Sequence, residues 1–307
     1  MKIASIDIGT NTILLLIAEV DWNGIQKVLH DEQVIARLGK GVDADRIINN
    51  ETFLRVENFL KRYKNTCNDF AVERIIATGT SALRDAKNQE EFCGYMKKNI
   101  GMTIEVISGS EEAQWTYRGG ISEFTGRADT FSVIDIGGGS TEIIIGNSST
   151  VISKTSINIG SVRLTERILK ASPPTHSAII EAHEYILSQI PKEVVGKIAS
   201  TFAIGVAGTV TTLAALHQQL PRYIPEKISG YKLQYKDVCA MFDLLKEKSI
   251  EQIKTFPQIS HGRADIIVAG ILILMTFMET ARLSHLVVSD RGLRYGMLYR
   301  EVEKVFN

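Results

Sequence analysis

Two stretches of this chain repeat one pattern of apolar and polar positions. Residues 3–19 read IASIDIGTNTILLLIAE and residues 131–146 read FSVIDIGGGSTEIIIG. In each, an apolar run ends in Asp-Ile-Gly, small polar residues follow, and a second apolar run closes the unit. The length and β-branched content of these runs are those of buried strands. Each stretch therefore predicts a hairpin closed by a tight glycine turn. Two such hairpins far apart in the chain predict two lobes of similar build, each opening in the same way.

After each hairpin the spacing alternates between helix and strand. In the first half it predicts a helix over Thr52–Tyr63, a strand over Arg74–Ala77, and a helix over Asn88–Asn99 with a capping box of Asn88 and Glu91. A strand over Thr103–Ile107 and a helix from Ser110 follow. In the second half helices are predicted at Val162–Leu169 and His176–Ile190, separated by Pro173-Pro174. A strand over Phe202–Val206 runs into a helix at Thr209–His217. A long helix over Arg263–Leu283, a strand over His285–Val288 and a helix over Leu293–Val305 complete the chain. The polar, flexible Gly126-Arg127-Ala128-Asp129 sets the boundary. The lobes expected are residues 1–125 and 126–307, with the last helix free to pack back on the first.

The 307 residues are 44% hydrophobic and 23% charged, enough apolar material for real cores and too much for disorder. The formal net charge of +0 argues against a protein that coats nucleic acid. Cys67, Cys93 and Cys239 form neither a CxxC nor an even-numbered framework, and no HExxH is present. Asp7 interrupts any signal-peptide apolar core. The longest apolar run, Ile266 to Met278, is too short to span a bilayer and reads as a buried helix. A cytoplasmic protein away from the membrane is expected.

The turn Asp135-Ile136-Gly137-Gly138-Gly139-Ser140-Thr141-Glu142 carries the strongest chemical signal. Three successive glycines give no packing; their use is close backbone approach, with N–H groups turned toward an anion. Ser140 and Thr141 add hydroxyl donors. Asp135 and Glu142 are hard oxygen ligands suited to Mg²⁺ or another divalent cation held against phosphate. A plain hairpin would need fewer glycines and no flanking acids. The first turn offers Gly9, Thr10, Asn11 and Thr12 as its counterpart, so the pair reads as a clamp on phosphate. A third candidate is Gly205-Val206-Ala207-Gly208-Thr209, where a strand opens a helix whose N-terminal amides, at Gly208 and Thr209, could accept an anion. An ordinary strand–helix turn with Gly208 for close packing fits that segment equally well.

Together with Arg37–Gly41, Thr80–Ala86, Ile107–Ala113, Gly160–Glu166 and Val288–Arg294, these segments make the sequence resemble the exopolyphosphatase/guanosine pentaphosphate phosphohydrolase family of the actin–sugar kinase–Hsp70 superfamily. The resemblance runs nearly end to end. It implies an α/β fold of two actin-like (ribonuclease H-like) lobes, mixed sheets flanked by helices, with the active site in the interlobe cleft. It implies that Glu112 orients and deprotonates an attacking water and that Arg84 contacts phosphate. Glu111, three residues after Ser108, is left for helix capping. One departure is Leu14, where many relatives carry Arg or His. The expected reaction is hydrolysis of the terminal phosphoanhydride of inorganic polyphosphate. Guanosine pentaphosphate is the alternative substrate; a sugar or acetate kinase and a non-catalytic phosphate sensor rank below both. No nucleic-acid or membrane partner is expected, and a homodimer is allowed.

Overall fold

The computed structural model describes residues 1–306, apart from the side chain of Val194. Asn307, the final residue of the expected second lobe, lies outside the described residues. The chain forms two compact units. One is Met1–Gly119 together with the segment from Leu293 onward, and the other is Gly120–Gly292.

The first unit is built on a five-stranded sheet of β1 (Lys2–Ile8), β2 (Thr12–Asp21), β3 (Gly24–Ile35), β4 (Arg74–Gly79) and β5 (Ile104–Val106), in the order β3-β2-β1-β4-β5. β1, β2 and β3 form an antiparallel meander, and β4 and β5 run parallel to β1. β1 is largely buried on both faces because both are covered. Ala4, Ile6 and Ile8 join Phe53, Val56, Leu60, Phe92 and Met96 from the helices Asn50–Asp69 and Gln89–Ile100. On the opposite face, Ile3 joins Leu16, Ile76, Leu293, Met297 and Leu298, the last three from the helix Leu293–Phe306. β3 escaped the hydrophobic pattern because it is an edge strand, with Gln26, Lys27 and Asp31 on a largely polar run.

The capping box predicted at Asn88 does not form. The Asn88 side chain instead brackets Ile48, accepting from its N–H at 3.0 Å and donating to its carbonyl at 2.9 Å. A long-range pair of bonds has displaced the local cap. Asn49 caps the preceding helix through the N–H of Thr52 at 2.8 Å.

Within this unit Gly296 sits against the backbone of the helix Gly109–Ile121. A Cβ there would stand 1.8 Å from the Trp115 carbonyl oxygen. On an open helix surface Gly→Ala raises stability. Here the sign reverses: Gly296→Ala is expected to cost about 3 kcal/mol, the upper range of overpacking. A fall in the urea midpoint at unchanged slope would show it.

The second unit repeats the plan. β6 (Phe131–Ile136), β7 (Thr141–Gly146) and β8 (Val151–Ile157) form the meander, while β9 (Phe202–Val206) and β11 (His285–Val288) extend it in parallel. β10 (Lys232–Gln234) adds an antiparallel edge, giving the order β10-β11-β9-β6-β7-β8. A meander followed by two parallel strands, found twice, is the ribonuclease H-like topology of actin-like lobes. The apolar run beginning at Ile266 becomes the buried helix Ile267–Thr280. It starts later than predicted because His261–Arg263 forms a separate 3₁₀ turn. Among the described residues no helix is long and apolar enough to cross a membrane.

Candidate active site

The two hairpin turns close with the same hydrogen bond. Gly9 N–H donates to the Thr12 carbonyl at 2.9 Å, and Gly137 N–H donates to the Ser140 carbonyl at 3.0 Å. A Cβ at either glycine would stand 3.1 Å from that carbonyl oxygen, so the tight closure selects glycine at the first turn position. Each turn is also braced by a second glycine. Gly39 N–H donates to the Thr10 carbonyl at 2.8 Å, and a Cβ at Gly39 would stand 2.2 Å from Thr10 Cγ2. In the second unit, Ser161 N–H donates to Gly137 and Val162 N–H to Gly138, both at 2.9 Å, and Arg163 Nε donates to Gly139 at 2.8 Å. A Cβ at Gly160 would stand 2.4 Å from the Gly138 carbonyl carbon. With the carbonyls of Gly137, Gly138 and Gly139 held from this side and the Gly137 N–H closing the turn, the amides of Gly138–Ser140 are the ones suited to an anion.

In the first unit the parallel register aligns three strand ends. Ile8 stands beside Gly79, and Gly79 beside Val106. From these ends leave the first turn, the short helix Ser81–Asp85 carrying Arg84, and the helix Gly109–Ile121 carrying Glu112. Arg84 Nη1 donates to Glu112 Oε2 at 2.5 Å and to the Ile107 carbonyl at 3.1 Å. Glu111 takes the capping role. Its carboxylate accepts from Ser108 N–H at 2.9 Å and from Ser108 Oγ at 2.8 Å, and its own N–H donates to Ser108 Oγ at 3.2 Å. Glu112 is left buried at 8% exposure. Burial raises its pKa above the ordinary carboxylate range, and the Arg84 guanidinium pulls it back. Asp7, at the end of β1, is raised to about 7, chiefly by burial and then by the Glu112 charge, with Arg294 opposing.

In the second unit Asp135 and Glu142 stand directly opposite each other on β6 and β7, so both side chains leave the same face. Glu142 is almost fully buried, and Ser156 Oγ donates to its Oε1 at 2.7 Å. Asp135 also pairs with Val206 of β9, which places the start of the helix Ala207–His217 beside the glycine turn. Ala207 holds a positive φ of 67°, a left-handed conformation that costs energy in a non-glycine residue. The Arg263 guanidinium occupies the space a side chain at Gly208 would need, with Nη1 1.2 Å from the ideal Cβ position. Burial lowers the Arg263 pKa to about 10, opposed by the Tyr223 phenol. Thr209 packs its side chain against Gly270.

The structure thus joins Arg84 to Glu112, places Asp7 within their field, and groups Gly137–Ser140, Asp135, Glu142, Gly208 and Thr209 around neighbouring strand ends. Four contributors were not singled out from the sequence: Asp7, Gly39, Gly160 and Arg263. Gly39 and Gly160 lie in segments that carry the resemblance, but their role as braces is visible only in three dimensions. Arg263 belongs to none of those segments.

The Ppx/GppA phosphatase family matches residues 16–305. Exopolyphosphatase 2 of Mycobacterium tuberculosis is 33% identical, over 96% of this chain and 97% of its own. The crystal structure of an exopolyphosphatase from Cytophaga hutchinsonii is 30% identical, covers 99% of both chains and superposes with a TM-score of 0.92. A guanosine-5'-triphosphate,3'-diphosphate pyrophosphatase of Pseudoalteromonas translucida is 29% identical over 99% of this chain, which spans 60% of that longer protein. The length of the match and the shared fold make this chain a member of the Ppx/GppA phosphatase family.

Proposed function

We propose that the protein is an exopolyphosphatase: it hydrolyses the terminal phosphoanhydride bond of inorganic polyphosphate and releases orthophosphate. The observation that carries this reading is the buried Glu112 held by Arg84 at the strand ends from which a phosphate-shaped turn also leaves. Guanosine pentaphosphate is the second reading, favoured by the pyrophosphatase relative at 29% identity against 33% for the exopolyphosphatase.

In the proposed reaction Glu112 accepts a proton from water as its oxygen attacks the terminal phosphorus. Arg84 fixes the Glu112 carboxylate, and its remaining guanidinium N–H groups suit a phosphoryl oxygen. The amides of Thr10–Thr12 in one unit, and those of Gly138–Ser140 in the other, each suit the charge that spreads over phosphoryl oxygens. The helix start at Gly208 and Thr209, with the Arg263 cation against it, suits a further phosphate of the chain.

Asp135 and Glu142 fit a divalent cation, Mg²⁺ above all. They are two carboxylates side by side on one sheet face, and Mg²⁺ commonly takes one or two carboxylates and completes its shell with water and substrate phosphate. Bound there, it would neutralise phosphate charge. The proposed setting is the cytoplasm, where Cys67, Cys93 and Cys239, all free, would stay reduced.

The test is orthophosphate release from polyphosphate with and without exhaustive chelation. Release is expected, and chelation is expected to abolish it. Asp135→Asn is expected to raise the Mg²⁺ concentration for half-maximal rate by about tenfold, the size of a modest loss of binding energy. An unchanged Mg²⁺ requirement would remove Asp135 from the metal site.

A further inference from the structure

Besides Arg300 Nε and Glu301 Oε1 of the helix Leu293–Phe306, four buried polar atoms among the described residues of the first unit have no hydrogen-bond partner within the protein: Ser5 Oγ, Asp7 Oδ1, Thr78 Oγ1 and Thr116 Oγ1. The residues Ser5, Thr78 and Thr116 are completely shut off from solvent. These atoms are not scattered. Ser5 and Asp7 are two residues apart on β1 and so share a face, and Thr78 stands beside Asp7 in the β1–β4 ladder. That face also carries Ile3 and Ile76, which pack with Ile107, just before the helix Gly109–Ile121, and with Trp115 within it. Thr116 lies one helical turn beyond Glu112, on the same side of that helix. The Glu112 charge in turn acts on Asp7.

A hydroxyl buried dry and unpaired is costly, and an apolar side chain would serve the core better. Clustered orphan groups of this kind are what ordered internal water satisfies, each molecule making about three hydrogen bonds. We propose that a file of ordered water fills this seam between β1, β4 and the helix Gly109–Ile121, and that through it Glu112 passes to Asp7 the proton it takes from the attacking water. The inference rests on Glu112 being the base of the proposed reaction. As the new O–P bond forms and the bridging O–P bond breaks, the electron pair leaves with the shortened polyphosphate and the proton rests on Glu112. Transfer along the water to the Asp7 carboxylate returns Glu112 to its ionised form, and Asp7 then loses the proton to solvent. The charged groups bearing on the pair are Arg84 on Glu112 and Arg294 on Asp7, with Asp31 holding Arg294 at 2.9 Å. Ser5, Thr78 and Thr116 are positioning residues that act through the water.

The experiment pairs a high-resolution crystal structure of the full chain with the pH–rate profiles of Thr116→Val and Thr116→Ser. Valine keeps the shape and removes the hydroxyl; serine keeps the hydroxyl. The expected result is ordered water within hydrogen-bonding distance of Thr78 and Thr116. Thr116→Val should lower kcat about tenfold with KM unchanged, well short of the ~10²–10⁴ that loss of the base itself costs. Its pH profile should shift, and Thr116→Ser should restore both. A dry seam would overturn the proposal, as would a Thr116→Val enzyme that keeps the wild-type pH profile. Full activity in Glu112→Gln would instead overturn the assignment of the base, and the crystallographic water would still report on the seam.

Discussion

Glu112→Gln is expected to fold and to bind substrate while releasing orthophosphate about 10²–10⁴-fold more slowly, the usual cost of losing a general base. Glutamine keeps the shape of the side chain and a carbonyl oxygen for Arg84 Nη1, so the short contact between these residues can persist. What it lacks is the capacity to take a proton. Stability should hold, because the change removes a charge from a site with 8% exposure. Arg84, with a side chain 21% exposed, can be solvated where it loses attraction. The pH dependence supplies an independent check. A base works only when deprotonated, and the Glu112 pKa is raised by burial. The wild-type rate should therefore fall as the pH drops, beginning above the ordinary carboxylate range. The residual rate of Glu112→Gln should lack that limb. Wild-type turnover in the variant would show that another group activates the water.

The second large effect is expected from a substitution that changes no titratable group. Gly160→Ala adds one methyl group, but its Cβ would stand 2.4 Å from the carbonyl carbon and oxygen of Gly138 and 2.5 Å from Gly139 N. These are backbone atoms of the glycine turn, which cannot swing aside as a side chain would. The turn must move by a large fraction of an ångström, and a misplacement of about 1 Å at a reacting group can cost roughly 10²-fold in rate. The fold itself should survive with a stability loss of about 1–3 kcal/mol, typical of overpacking. Phosphate release and the urea midpoint, measured on one preparation, separate the two effects. Gly94→Ala is the matched control, since a Cβ at that helical glycine meets nothing within 4 Å. The control should keep its activity, whereas a fully active Gly160→Ala would show that the turn has no part in holding phosphate.

The hairpins, the parallel strands and most helices were legible because their apolar periods are strong. The repeated Asp-Ile-Gly units stand at equivalent turns, closed by the same bond. What escaped had weaker local signals. β3 is a polar edge strand, β8 alternates partly buried and exposed positions, and β10 spans only three residues. The helix Tyr235–Leu245 buries only Val238, Met241, Phe242 and Leu245, interrupted by polar positions. At the site, the capping role of Glu111 could be read from its spacing to Ser108, and the structure makes that cap. Asn88 shows the limit of such reading, since a cap written in local sequence yields to a better partner forty residues away. The bracing by Gly39 and Gly160, and the seating of Arg263 against Gly208, depend on segments that meet only in the fold.

The central claim is the chemistry of the substrate, and the most direct measurement is kcat/KM for orthophosphate release from polyphosphate, guanosine pentaphosphate and ATP under identical Mg²⁺. The account predicts that polyphosphate is turned over with the highest kcat/KM, that guanosine pentaphosphate follows, and that ATP is the poorest of the three. Preferred hydrolysis of ATP, or absence of orthophosphate from polyphosphate with the wild-type protein folded and Mg²⁺ present, would contradict it.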